Sequence, residues 1–116
     1  NPSPSAGWEN AERQGLLERG PADAVLALAL VHHLAIGNNL PLDMIARFFA
    51  QAGRHLLVEF VPKSDSQVAR LLVTREDIFD RYTRGDFEKA FAAYFETTRR
   101  ISLAGSERAL YFMERR

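Results

Sequence analysis

Residues 23–31 read DAVLALALV: an aspartate opens an apolar run that nothing polar interrupts before His32. A strand with one wet face alternates apolar and polar residues. A run without alternation reads as a strand buried on both faces, as in a parallel sheet covered by helices. Ala and Leu also favour helix, but the run is short and Gly20-Pro21 stands just before it, which favours strand. The first firm element of the chain is therefore a core strand.

The segments around it alternate in type. Pro2, Pro4 and Gly7 mark residues 1–7 as loop. Trp8, Ala11, Leu16 and Leu17 share one side of a helix over 8–19, which Gly20-Pro21 ends. Pro41 and Asp43 suit the first turn of a helix over 41–52, with Leu42, Ile45, Phe48, Phe49 and Ala52 on one face and Gly53 as its stop. Residues 56–61 form a second apolar strand, closed by Pro62. Ser64 and Gln67 have capping-box spacing ahead of a short helix through Leu72. Phe87, Ala90, Phe91, Tyr94 and Phe95 form an aromatic core stripe on a helix over 86–95. Strands over 97–103 and 108–114 flank Ala104-Gly105-Ser106 and read as an antiparallel hairpin. This order predicts an α/β fold with a mixed sheet. The first two strands are parallel neighbours, and the last strand inserts antiparallel between the second and the third.

Composition narrows the class. The chain has 116 residues, 47% hydrophobic and 26% charged, a balance that fits a single globular domain over 1–116 and not a disordered chain. A formal net charge of zero gives no electrostatic signal for nucleic acid or an anionic membrane. No apolar run approaches the roughly 18 to 20 residues of a bilayer span. There is no cysteine, which excludes disulfides, thiolate metal sites and a cysteine nucleophile. A cytoplasmic location is the expectation.

Three stretches carry a family resemblance. DAVLALALVHHL, Asp23 to Leu34, resembles the fourth-strand motif of class I (Rossmann-like) S-adenosylmethionine-dependent methyltransferases, an aspartate before an apolar strand that leads into a His-His pair. LVEFVPK, Leu57 to Lys63, is similar to that family's fifth strand, and the hairpin ending in LYFM to its antiparallel sixth and seventh strands. The resemblance covers nearly the whole chain. It implies the C-terminal half of a doubly wound methyltransferase fold with a terminal antiparallel hairpin. The family's glycine-rich turn and ribose-binding acid, which grip the cofactor, have no counterpart here. The expectation is a fragment without the first three strands, inactive alone and with weak or no affinity for S-adenosylmethionine.

In such sheets, ligands sit beyond the carboxyl ends of the parallel strands, here the loops 32–41 and 62–65. The resemblance places Ala27, Leu28 and Ala29 beside the cofactor, where small side chains permit close approach; the alternative is plain core alanines. His32 or His33 could serve as general base, or one could pack under the loop while the other caps the next segment. Glu59, a charge inside an apolar strand, is a third catalytic candidate or one half of an ion pair. Asn38 and Asn39 read as substrate contacts or as turn residues. Lys63 reads as a substrate contact, and Lys63 and Asp65 alternatively as solvated rim charges. Ser3 and Trp8 could touch adenine or substrate, or pack. No metal site is expected, because adjacent histidines diverge, His55 begins another strand and no carboxylate is spaced to join them.

The function expected from the resemblance is methyl transfer to a small-molecule or macromolecular acceptor. The alternative is a non-catalytic α/β interaction or self-association module. A homo-oligomer is expected, because losing the preceding strands would leave one edge of the first strand unpaired.

Overall fold

A computed structural model describes residues 22–73 and 76–116. The helix expected over 8–19, Ser3 and Trp8 lie outside the described residues.

The described chain runs β1 (Ala22–Ala27), a π-helical turn (His33–Gly37), α1 (Leu42–Ala52), β2 (Gly53–Phe60), α2 (Ser66–Leu72), α3 (Arg84–Ala92), β3 (Phe95–Ser102) and β4 (Ala109–Arg115). The strands form one four-stranded sheet in the order β1-β2-β4-β3. β1 and β2 are parallel, and β4 lies antiparallel to both β2 and β3. This is the mixed α/β sheet expected, with the last strand inserted between the second and third.

Local chemistry explains most element ends. Pro41 stands extended at the N-cap of α1, and Asp43 lies in its first turn, where a negative charge meets the helix dipole. Ile45, Ala46, Phe49, Ala50 and Ala52 form its buried face. Gly53 comes next at φ −163, extended backbone that any residue adopts, so α1 passes straight into β2. The sequence placed this strand's start at 56 because Arg54 and His55 break the apolar run; both are exposed.

Three further boundaries differ from expectation. The apolar run 23–31 is not one strand. β1 stops at Ala27, Ala29 turns the chain at φ 54, and helical backbone begins at Val31. The run stays apolar because Val31 enters the same core as Ala27. The cap of α2 is Asp65, which accepts the Gln67 N–H at 2.9 Å, whereas the Ser64 hydroxyl donates to Glu107. The helix expected over 86–95 is α3, capped by Thr83 and ended at Ala92, and Phe95 already opens β3.

The aromatic core packs against the sheet face that carries Val58, Phe60 and Tyr111. Phe87 and Phe91 on α3 are fully buried; their rings lie 4.5 Å apart, and Phe87 also meets Phe60 and Tyr111 at 5.0 Å each. Tyr111 donates its hydroxyl to Glu88 at 2.6 Å, and its pKa is pushed up to about 12, first by burial and then by Glu88. The opposite sheet face is different. Leu26, Leu57 and Phe112 stand in one row across three strands, half-buried or exposed, with Leu26 69% exposed. Among the described residues, no helix is long and apolar enough to cross a membrane.

Candidate functional site

β1 and β2 run parallel, so their carboxyl ends share one edge of the sheet, and the β3–β4 turn reaches that edge from the other side. Ala27 closes β1 and is buried; Leu28 is 52% exposed; Ala29 is half-buried in the turn. β2 brings Glu59 to the same level, only 7% exposed. Its Oε1 accepts the Ala29 backbone N–H at 2.7 Å, and its Oε2 lies 3.7 Å from Nη1 of Arg108.

Arg108 is the hub of this edge. Its Nε and Nη2 donate to Asp65 at 2.7 and 3.0 Å, a two-pronged grip that suits a planar guanidinium. The hydrogen bonds from Arg108 pull the Asp65 carboxyl down to about 2, and Asp65 raises Arg108 in return. Two carboxylates thus face one guanidinium. They tie the turn after β1, the end of β2, the cap of α2 and the start of β4 into one cluster.

His32 sits next to this cluster and is fully buried, and neither ring nitrogen makes a hydrogen bond of good geometry, although the Gln67 side chain lies close by. Burial pulls its pKa down to about 4; His33 pushes the same way, while the Gln67 side chain works against both. The His32 ring is therefore neutral near pH 7. His33, its ring 4.3 Å from that of His32, is exposed. The segment carrying both is not the loop expected over 32–41. It winds through His33–Gly37 as a π-helical turn, closed by Asn38 N–H to His33 O at 2.9 Å.

The remaining candidates lie apart from the cluster or at its rim. Asn38 caps the π-helical turn, and Asn39 sits at φ 55, a left-handed turn position that asparagine tolerates. Asn39 also lines a cleft of about 860 Å³ with Asp43, Phe79, Arg81, Lys89 and Tyr94. Lys63 pairs with Asp77 at 2.9 Å and lowers the pKa of that carboxyl. Tyr82, buried at the end of β2, donates to the Val61 carbonyl, and burial pushes its phenol well above its ordinary pKa. His55 is exposed, its Nδ1 3.0 Å from the Asp23 carbonyl. Among the described residues, no three of His, Asp and Glu are placed to share a metal ion.

Comparison with known proteins adds one relationship. The chain is 46% identical over 115 residues to "Nodulation protein NoeA" of Rhizobium meliloti (strain 1021). The match takes in 99% of this chain but only 24% of that protein, so the chain spans about a quarter of the length of the relative it matches. No model of a protein family matches the chain. No solved structure matches it.

Of the residues singled out in the sequence, the fold puts Glu59 in contact with Ala29 and His32 beside Arg108, a residue that the sequence marks only as the start of a strand. The available signal was the need of Glu59 for a cation, and fifteen Lys and Arg residues could have met it.

Proposed function

We propose that this chain is the C-terminal part of a class I S-adenosylmethionine-dependent methyltransferase. The observation that carries the reading is the sheet order β1-β2-β4-β3, a parallel pair joined to an inserted antiparallel hairpin strand, with the outer edge of β1 free of any described strand. The open sheet face around Leu26, Leu57 and Phe112 supports it, because sheets with parallel strands are normally covered on both sides. The length of the nodulation-protein relative is compatible with further chain that pairs with β1 and covers this face.

The described residues suit one end of the cofactor only. Ala27 and Ala29 keep side-chain bulk away from the carboxyl end of β1, where the methionine end would lie. No glycine-rich turn is present to receive the rest. S-adenosylmethionine supplies an electrophilic methyl group, displaced in line by the acceptor. This chain would contribute position and proton acceptance. His33 suits the role of base better than His32, because it is exposed and His32 is sealed in the core.

The test is calorimetric titration with S-adenosylhomocysteine, on this chain and on a form extended upstream of Asn1. The chain alone should bind with a dissociation constant above about 1 mM, no better than roughly −4 kcal/mol. The extended form should bind far more tightly. Micromolar binding by the chain alone, or none by the extended form, contradicts the reading. A second reading, a non-catalytic self-association module, is favoured by the exposure of Leu26 and Leu28, and would show association with no cofactor affinity in either form.

A further inference from the structure

Glu59 was a candidate base, yet its geometry suits another task. One oxygen is committed to the Ala29 N–H at 2.7 Å and the other faces the Arg108 guanidinium at 3.7 Å. A carboxylate engaged on both sides is poorly placed to take a proton from a substrate. The residue it holds is also unusual. Ala29 has φ 54, the left-handed region that a side chain with a Cβ adopts only when its surroundings impose it. That turn separates β1 from the helical segment that carries Val31 and His32 into the core.

We propose that Glu59 is a positioning residue: through the Ala29 amide it fixes the turn at the carboxyl end of β1, while Arg108 and Asp65 hold its carboxylate in place. The proposal rests on reading that turn as the wall that meets the cofactor. The tether itself is set by the described chain. Asp65 is anchored as the cap of α2, Arg108 spans from Asp65 toward Glu59, and Glu59 reaches across from β2 to β1. The turn thereby takes its shape from three elements distant in sequence. The role needs an acceptor oxygen more than a negative charge.

Three measurements test it. On this chain, nuclear magnetic resonance should detect coupling across the hydrogen bond between the Ala29 nitrogen and the Glu59 carboxyl carbon. Amide exchange at Ala29 should quicken about tenfold or more in Glu59→Leu, with the amides of Val58 and Tyr111 unchanged, and Glu59→Gln should restore protection to within about threefold. Absence of the coupling in the wild-type chain overturns the proposal, and this readout holds even if the leucine variant fails to fold. On the upstream-extended form, the affinity for S-adenosylhomocysteine should drop about tenfold in Glu59→Leu and return in Glu59→Gln. Affinity retained in the leucine variant, or lost in the glutamine variant, also overturns it. No affinity in the wild-type extended form instead contradicts the methyltransferase reading, and the Ala29 amide then decides the tether alone.

Discussion

Arg108 grips Asp65 through two hydrogen bonds, 2.7 and 3.0 Å, across a sequence separation of 43. Both side chains are mostly shielded from solvent, and Glu59 is shielded further. Arg108→Leu would leave both carboxylates without their shared cation. The expected loss is about 2 to 4 kcal/mol, read from the urea midpoint at pH 7. Asp65 adds a pH signature. Its folded pKa of about 2 lies below the ordinary 3.8, so its stabilisation is complete above 3.8 and disappears as pH falls through 2. The variant should lose most of that acid limb, keeping the part that the Gln67 N–H sustains; an unchanged limb would show that Arg108 is not its cause.

His32 adds a second loss of stability on the acid side, in a higher pH window. Its folded pKa of about 4 lies below the ordinary 6.5, so the unfolded chain binds the extra proton between those values. Stability should be highest above 6.5, decline as pH falls toward 4, and level off below, a total of about 3 kcal/mol. His32→Leu removes two unpartnered buried nitrogens and should be at least as stable as wild type at pH 7, without that slope. His33→Ala, at an exposed position, should change stability by no more than about 0.5 kcal/mol. A loss above about 1 kcal/mol in His33→Ala would contradict its exposed placement.

The core prediction concerns α3. Phe91 is fully buried and meets the rings of Phe49, Phe87 and Phe95 at 6.5, 4.5 and 6.2 Å. Phe91→Ala should cost about 3 to 5 kcal/mol by denaturant titration. A loss below about 1 kcal/mol would mean that the aromatic cluster is not what joins helix to sheet.

These elements were unequally legible. The strand order could be read because alternating strand and helix, then a Gly105 turn at φ 73, restrict the topology severely. The Phe87–Phe91 pair announced its core face by helical spacing. Boundaries failed wherever burial continued through a change of backbone, as from Ala27 through Val31, because hydrophobicity reports environment and not dihedral angles. The cap of α2 was misplaced by one residue because Ser64 and Asp65 are both good caps, and they are distinguished by tertiary partners, Glu107 for Ser64 and Arg108 for Asp65. Within the site, Glu59 was conspicuous as a lone charge, but its partners come from the Ala29 backbone and from the opposite hairpin, contacts that only tertiary structure creates.

Self-association is expected from the edge of the sheet. β1 pairs only with β2 among the described strands, and Leu26 and Leu28 are 69% and 52% exposed beside its free side. Unprotected edges of this kind recruit further strands, and a two-fold pairing of β1 with its copy is the simplest closure. Light scattering at tens of micromolar should therefore report a dimer. Leu26→Lys should return it to monomer by putting like charges across the seam. A wild-type monomer contradicts this prediction, and a dimer that survives the lysine places its interface elsewhere.

The same edge gives the central test. In the upstream-extended protein, the account requires a parallel strand on the free side of β1 and the cofactor's methionine end against Ala27–Ala29. A crystal structure of that form grown with S-adenosylhomocysteine measures both at once. The predicted result is β1 hydrogen-bonded on both edges with the ligand at its carboxyl end. A structure in which β1 remains an outer strand, or in which the ligand binds away from Ala27–Ala29, would contradict the methyltransferase account.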